Sequence, residues 1–201
     1  DGGEGDEELY GAGGALRLDG GAGADQQRGG RGADTLTGGD GADRLEGGDD
    51  GDFLEGGPGA DSFAGGAGND LYRVTAEIGV ETIEETHGHD TLSFAAGIAP
   101  SDVLLYRDGS HLVAIAGEGG GYQLTVSNHF AADGYRIESI EFADSTVWNA
   151  DDLAARTIGG AAETQTGGPG DDRFLVDNSA DIVIEQPGAG IDTVETTVSY
   201  V

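Results

Sequence analysis

Large apolar residues between positions 29 and 73 recur at every ninth position, and the residues between them are mostly glycine or polar. The recurring residues are Leu36, Leu45, Leu54, Phe63 and Tyr72. Each stands at the eighth place of a segment that opens with two glycines and carries aspartate at its sixth place. The segments are GGRGADTLT, GGDGADRLE, GGDDGDFLE, GGPGADSFA and GGAGNDLYR. A fixed spacing of this kind indicates a structural repeat.

Each nine-residue segment predicts a turn followed by a short strand. Paired glycines allow positive φ and close backbone approach, because they have no Cβ. In a strand, alternate side chains point to opposite faces, so the apolar eighth residue points inward while its neighbours point outward. One segment cannot bury its own apolar face, whereas a stack of segments can. We therefore predict an all-β fold, a flattened parallel coil (a β-roll) in which two repeats make one full turn.

The coil brings aspartates that are two repeats apart into the same column. One column would contain Asp34, Asp52 and Asp70, and the other would contain Asp25, Asp43 and Asp61. Stacked like charges repel strongly unless a cation separates them, and turn carbonyls supply further oxygens. Such an all-oxygen site favours Ca²⁺ over Mg²⁺ and does not suit Zn²⁺. The alternative, a disordered acidic linker, does not require an apolar residue at a fixed offset.

The same frame continues backwards from residue 29 with substitutions. Glu7 and Leu16 stand at the aspartate place, and Gln27 stands where an apolar residue belongs. A buried amide without partners is costly, so we expect Gln27 to loosen the coil locally. The frame predicts a metal site at Asp25 and Asp43 and no site at the level of Leu16. A site between Glu7 and Asp25 stays open.

The segment from residue 74 to residue 157 has less glycine and several alternating strands. The predicted strands are Val80–Glu84, Thr91–Phe94, Val103–Tyr106, Leu112–Ile115, Gln123–Val126 and Ile137–Phe142. Asp108 and Gly109 lie between two of these runs and predict a hairpin. Asn149 is expected to cap a short helix over the following ADDLAAR. The expected core consists of Phe94, Leu105, Phe130, Ile140, Phe142 and Trp148.

The chain divides into three predicted parts. Residues 1–73 form the nonapeptide coil, with eight repeats from residue 2 onwards, and residues 74–157 form a small antiparallel β cap. A cap is expected because an open coil end exposes unpaired backbone and apolar surface. Residues 158–201 form a linker and the start of a further repeat, GGPGDDRFL, with Asp172 at the metal-ligand place. Because the pattern is cut at both ends, we expect a longer parent protein.

Composition narrows the function. The 201 residues include 39 acidic and 9 basic side chains, for a formal charge of −30. This charge expands a cation-free chain and argues against nucleic acid and anionic membranes as partners. Cysteine is absent, so metal would take the stabilising role of disulfides. No apolar run reaches the length of a membrane span. No HExxH, GxSxG or Walker pattern is present, so we expect no catalytic residue and no enzyme activity in this chain.

The nine-residue pattern resembles the calcium-binding nonapeptide of the RTX (repeats-in-toxin) family of haemolysin-type proteins. The segments GHDTLSF and SNHFAADGYRIESIEFADSTVW resemble the region that flanks RTX blocks. In that family one Ca²⁺ lies between two stacked turns and takes two carbonyls and one aspartate from each. The resemblance implies that Asp34 and Asp52 act with the carbonyls of Gly30, Gly32, Gly47 and Asp49, that Asp43 and Asp61 act with those of Gly39, Gly41, Gly56 and Pro58, and that Asp52 and Asp70 act with those of Gly48, Asp50, Gly65 and Ala67.

Asp50 and Asp90 differ from the other residues of that ligand scheme. Asp50 stands where the family usually has glycine, and we expect local strain there without loss of the site, because aspartate tolerates left-handed geometry. Asp90, in GHDT, is expected to complete the last ion site.

The resemblance implies a calcium-binding module of a secreted, extracellular bacterial protein that holds several Ca²⁺ ions. Extracellular calcium would drive folding, and the unfolded chain would pass through a type I secretion system. Two alternatives stay open. One is an adhesion or ligand-binding module of a large RTX protein, which would hold an unidentified surface ligand with the loops at 119–121 and 129–135. The other is an accessory module of a secreted enzyme or toxin.

Overall fold

Two parallel β-sheets face each other along the repeat region, and two consecutive nine-residue repeats make one turn of the coil. The computed structural model describes residues 1–75, 79–116, 122–131, 136–159, 164–166, 173–176, 182–184, 191 and 193–196. The predicted all-β class and the parallel β-roll are confirmed within these ranges.

Strands are numbered in chain order, and consecutive strands of the repeat region lie in opposite sheets. The first sheet contains, in spatial order, β1 (Gly3–Glu4), β3 (Arg17–Ala22), β5 (Thr35–Asp40), β7 (Phe53–Glu55), β9 (Leu71–Val74), β11 (Thr91–Phe94), β15 (Ser139–Phe142) and β16 (Val147–Trp148). The second contains β17 (Thr157–Ile158), β12 (Val103–Asp108), β13 (His111–Ala116), β14 (Tyr122–Ser127), β10 (Val80–Glu84), β8 (Ser62–Ala67), β6 (Arg44–Asp49), β4 (Gln26–Arg31) and β2 (Glu8–Tyr10). Two parallel pairs follow: β18 (Thr164–Thr166) with β20 (Ile182–Ile184), and β19 (Arg173–Val176) with β21 (Thr193–Thr196).

The apolar eighth residues of the repeats meet in register inside the coil. Leu36 pairs with Leu54 in the first sheet, and Leu45 pairs with Phe63 in the second. These side chains and that of Tyr72 are at most 2% exposed. Since a fully buried side chain of this size contributes about 1.5–3 kcal/mol, the row is the main apolar stabilisation of the coil.

The parallel coil extends beyond the repeats to Phe94. Strand β10 pairs with β8 and places Ile83 opposite Phe63, and β11 pairs with β9 and places Leu92 opposite Tyr72. The glycine pattern is absent from this last turn, so the sequence assigned both strands to the cap. The domain boundaries drawn from the sequence stay predictions.

Antiparallel strands continue the second sheet beyond β10, and β17 forms its edge by pairing parallel with β12. Strands β12 and β13 form a hairpin, and β14 pairs antiparallel with β13 and parallel with β10. The hairpin is confirmed with its turn moved by one residue: Asp108 pairs with His111, so Gly109 and Ser110 make the turn, and Gly109 adopts a φ of 59°.

The helix and the core of the cap are confirmed. Helix α1 spans Ala150–Arg156, and the side chain of Asn149 accepts the backbone N–H groups of Asp151 and Asp152. A 3-10 helix spans Pro100–Asp102. The core contains the predicted residues Phe94, Leu105, Ile140, Phe142 and Trp148, all at most 5% exposed, and Phe130 packs against it partly buried.

Gln27 does not loosen the coil, contrary to the expectation from its amide. Its side chain is 2% exposed, and strand β4 keeps its register, with Gln27 between Leu9 and Leu45. The amide Nε2 donates a hydrogen bond to the carbonyl O of Thr37 at 2.6 Å, so the donor end of the side chain has a partner. Its Oε1 remains buried without a partner.

Several sequence-based predictions fall outside the described residues. Asp172 is among them, as are the loop at 119–121 and most of the loop at 129–135. Within the described part of the chain, no helix is both long enough and apolar enough to cross a membrane.

Candidate metal centres

Hydrogen bonds between successive turns hold the aspartates of the repeats in two columns. The backbone N–H of each aspartate donates to Oδ1 of the aspartate 18 residues further on. These bonds run from Asp34 to Asp52 at 2.7 Å, from Asp52 to Asp70 at 2.7 Å, from Asp25 to Asp43 at 2.8 Å and from Asp43 to Asp61 at 2.9 Å. The stacking expected from the coil is therefore present in both columns.

The second oxygen of every one of these carboxylates is buried without a hydrogen-bond partner. The atoms are Oδ2 of Asp25, Asp34, Asp43, Asp52, Asp61 and Asp70, and the residues are 1–3% exposed. An unpaired carboxylate oxygen that is removed from water costs several kcal/mol unless a cation or a proton compensates it. Rows of such oxygens fit a bound cation.

Carbonyl oxygens of the following turn point to the same places as the free carboxylate oxygens. A Cβ at Gly29 would overlap Oδ2 of Asp34 and would lie 2.8 Å from the carbonyl O of Gly47. A Cβ at Gly38 would likewise overlap Oδ2 of Asp43 and lie 2.6 Å from the carbonyl O of Gly56. Carboxylate and carbonyl oxygens thus converge, and an all-oxygen donor set suits Ca²⁺.

The predicted carbonyl ligands are distributed between strand ends and turns. Gly30, Gly39, Gly47, Gly48, Asp49, Gly65 and Ala67 lie in strands, and Gly32, Gly41, Asp50, Gly56 and Pro58 lie in the turns between them. The carbonyl of Pro58 accepts the N–H of Gly41 at 2.9 Å, and that of Asp49 accepts the N–H of Gly32 at 3.2 Å. A carbonyl has two lone pairs, so these bonds leave one for a metal. The individual ligand sets stay predictions.

Asp50 adopts the left-handed conformation that its position in the repeat requires. Its φ is 76°, in a region where most repeats have glycine. Its Oδ2 accepts the N–H of Gly32 at 3.2 Å, which ties the exposed side chain to the preceding turn. The substitution is therefore accommodated in the turn.

Burial changes the acid–base behaviour of the columns. Burial raises the pKa of Asp52 and Asp61 to about 6 and the pKa of Asp70 to about 7. The N–H donated from the preceding turn lowers each pKa, and the neighbouring aspartate raises it. The ionised form is thus disfavoured in the absence of a cation.

Carboxylates outside the glycine repeats continue both columns. The N–H of Asp70 donates to Oδ1 of Asp90 at 2.8 Å, and the N–H of Asp90 donates to Oε2 of Glu138 at 2.7 Å. In the other column Glu81 follows Asp61, and its Oε2 is buried without a partner. Asp90 therefore follows Asp70 in the first column, and its role as an ion ligand stays a prediction.

Sequence reasoning missed Glu81, Glu85 and Glu138. Two of them had a detectable signal, since Glu81-Thr82-Ile83 and Glu138-Ser139-Ile140 keep the acidic–polar–apolar order of Asp90-Thr91-Leu92. Glu85 has no such signal, because it stands at the first place of a turn, where the repeats have glycine.

Glu7 lies at the start of the second column, at the place that aspartate occupies in the later repeats. Its N–H donates to Oδ1 of Asp25 at 2.8 Å, and its own Oε2 is buried without a partner, as in the aspartates. Leu16 also donates its N–H, to Oδ1 of Asp34 at 2.8 Å, but it brings no carboxylate to the column. The first column therefore begins with Asp34, and the second includes Glu7.

Two family descriptions match the chain. "RTX calcium-binding nonapeptide repeat (4 copies)" matches residues 1–36, 19–54 and 37–72. "Haemolysin-type calcium binding protein related domain" matches residues 113–152, which include β14, β15, β16, most of β13 and the start of α1. The chain has no match among curated proteins. The repeats, their register and the first match show that residues 1–72 are RTX calcium-binding nonapeptide repeats, so this part of the chain is a calcium-binding module.

Proposed function

We propose that this chain is a non-catalytic module whose folding is driven by extracellular calcium, and that it belongs to a secreted bacterial protein. The observation that carries the proposal is the set of buried, unpartnered Oδ2 atoms in the two aspartate columns. The coil can bury them as anions only when cations lie between the turns. Calcium binding and folding are then one event.

Charge explains why the fold responds to calcium. The chain has a formal charge of −30, and the columns concentrate part of that charge in the interior of the coil. Extracellular calcium modules bind with a Kd of about 10⁻⁴ to 10⁻³ M, so the sites fill outside the cell and stay empty in a cytosol. An unfolded, self-repelling chain suits passage through a type I secretion channel, and folding follows on the far side.

The residues that hold calcium in this proposal are the column aspartates and the turn carbonyls of the resemblance. Each ion lies between two turns, where an Oδ2 and a carbonyl of the next turn converge. Calcium is favoured over Mg²⁺, because Mg²⁺ requires near-ideal octahedral geometry and gives up its water reluctantly.

Circular dichroism during a calcium titration tests the proposal. The wild-type chain should be mostly unfolded in chelator and should gain β structure at millimolar calcium but not at the same concentration of magnesium. Asp52→Asn should shift the midpoint to higher calcium. Asp40→Asn, which removes an exposed charge from the same region, should leave it unchanged. A wild-type chain that is already β-rich in chelator at neutral pH would reject calcium-driven folding.

A second candidate function is ligand binding by the cap, and a cavity favours it. The cavity has a volume of about 620 Å³ and lies between the end of the coil and α1. Its lining combines polar and apolar side chains, including His89, His129, Arg136 and Leu153. A glycan array with the calcium-loaded chain, and with Leu153→Trp to fill the cavity, separates this function from a purely structural one. Binding that is lost in the variant supports it, and absence of binding rejects it for glycans.

A further inference from the structure

The last turn of the coil has a carboxylate where the repeats have glycine. His87 forms a bridge with Ala67, so Glu85 lies opposite Gly65, the first residue of its repeat. At the equivalent place in earlier turns, a Cβ at Gly29 or Gly47 would collide with the neighbouring aspartate. Glu85 therefore places a side chain in a position that the repeats keep free.

The side chain of Glu85 points into the coil and is fixed there. The residue is 2% exposed. Its Oε2 accepts the N–H of Thr86 at 2.9 Å, and its Oε1 accepts a hydrogen bond from the hydroxyl of Tyr72. That hydroxyl in turn accepts the N–H of Gly65 at 2.7 Å. The phenol of Tyr72 thus links the core of the coil to this carboxylate.

Glu85 brings a third carboxylate to the end of the first column. One oxygen each of Asp70, Glu85 and Asp90 lies within 4.8 Å of the other two, and all three residues are at most 2% exposed. Oδ1 of Asp70 and Oδ1 of Asp90 accept N–H groups from the preceding turn. Oδ2 of Asp70 is buried without a partner and lies beside the Tyr72 hydroxyl, where both would overlap a Cβ at Gly65.

We propose that Asp70, Glu85 and Asp90 form a separate Ca²⁺ site that closes the first column, with Tyr72 as the positioning residue for Glu85. This site rests on the proposed function and differs from the repeat sites in its donors. Between Gly29 and Gly47 the next turn contributes a carbonyl beside the aspartate, whereas here it contributes the carboxylate of Glu85. Because affinity for calcium rises with the number of charged ligands, this site is the tightest of those formed by the described residues.

Isothermal titration of the whole chain with calcium tests the site. Glu85→Gln should weaken the tightest binding event by about 100-fold or more, since even outer-shell changes cost about 10–100-fold, and should leave the weaker events in place. The matched control is Glu84→Gln, which removes the same charge from an exposed neighbour and should titrate as wild type. A Glu85→Gln variant with the wild-type isotherm overturns the site alone. A wild-type chain that binds no calcium rejects the proposed function as well.

A second measurement covers the case in which Glu85→Gln does not fold. Terbium(III) replaces calcium at oxygen sites, and its emission is sensitised by a nearby tyrosine. Tyr72→Phe keeps all three carboxylates, and it should lower the tyrosine-sensitised emission of the first equivalent of terbium. The control is Tyr10→Phe, since Tyr10 is 65% exposed at the other end of the coil. Equal emission from both variants contradicts a first-filled site beside Tyr72.

Discussion

The backbone N–H of Asp52 donates a hydrogen bond to Oδ1 of Asp70, 18 residues further along the chain, at 2.7 Å. Oδ2 of the same carboxylate is buried without a partner. One oxygen thus fixes the side chain between two turns, while the other is left for a cation. The arrangement recurs along both columns, so the stability of each turn depends on whether a cation or a proton compensates the free carboxylate oxygen between it and the next turn.

Acidification should stabilise the calcium-free coil. Burial raises the pKa of Asp52 and Asp61 from 3.8 to about 6 and that of Asp70 to about 7. The folded state therefore binds protons more strongly than the unfolded chain, and the resulting stabilisation is complete below about pH 4 and is lost as the pH rises through about 6 to 7. Far-UV circular dichroism in chelator should show more β structure at about pH 5 than at about pH 8. An equal or weaker β signal at the lower pH contradicts the raised pKa values.

Calcium should reverse the direction of that pH dependence. Protons and calcium compete for the same carboxylates, so the calcium concentration at the folding midpoint should rise as the pH falls through the pKa of about 7 of Asp70. Calcium titrations at several pH values measure this shift. A midpoint that does not change with pH would mean that the buried carboxylates are not the ligands.

Gly47→Ala should impair calcium binding through its Cβ alone. The added atom would overlap Oδ2 of Asp52 and lie 2.7 Å from the carbonyl O of Gly65, so both oxygens must move. Overpacking of this kind costs about 1–3 kcal/mol, and here it also displaces two predicted ligands. The control is Gly14→Ala, which has nothing within 4 Å of its Cβ and should cost only backbone strain at φ 83°. If both variants keep the wild-type calcium midpoint, the space beside Gly47, the first residue of its repeat, is not part of a metal site.

Gln27→Leu should stabilise the calcium-loaded coil by about 1 kcal/mol. Oε1 of Gln27 is buried without a partner, and its cross-strand neighbours are Leu9 and Leu45. Leucine restores the apolar residue of the repeat, although the bond from Nε2 to the carbonyl of Thr37 is lost. Thermal unfolding in calcium compares it with the exposed control Gln26→Leu, which should have no effect. A lower melting temperature for Gln27→Leu would show that the amide bond outweighs apolar burial.

Leu54→Ala should destabilise the calcium-loaded coil by about 2–5 kcal/mol. Leu54 is 0% exposed and lies in register between Leu36 and Tyr72, so the cavity left by alanine cannot reach water. The control is Val147→Ala, since Val147 is 52% exposed. Denaturant unfolding in saturating calcium measures both, and similar midpoints would contradict a core made by the eighth residues.

The repeat part of the fold could be predicted because the nine-residue period determines where each strand and each turn lies. Leu36, Leu45 and Leu54 recur at nine-residue spacing, which fixes both the inward face and the turn length. The aspartate columns follow from the same period. The signal is weaker in the last turn, because the offset between Phe63 and Ile83 is longer than in the repeats and the paired glycines are absent.

The candidate sites were predictable only where the repeat supplied the ligand. Asp34 and Asp52 follow from the period, and Asp90 from its resemblance to the flanking region. Glu85 could not be predicted from the repeat, because a glutamate at a glycine place indicates a repeat that has lost its function. Its inward orientation depends on a hydrogen bond from the hydroxyl of Tyr72, which the sequence does not indicate. At Gln27 the sequence predicted a defect that the structure does not have. The amide Nε2 finds a partner on the opposite sheet, the carbonyl of Thr37, and this hydrogen bond lowers the cost of burying the side chain.

A crystal structure grown in calcium, with anomalous scattering to locate the ions, decides whether the aspartate columns hold calcium. We expect ions between successive turns at about 2.3–2.6 Å from Oδ2 of Asp34, Asp52 and their column neighbours. Carboxylate oxygens that face solvent, or turns that stack with no ion beside the buried Oδ2 atoms, would contradict this expectation.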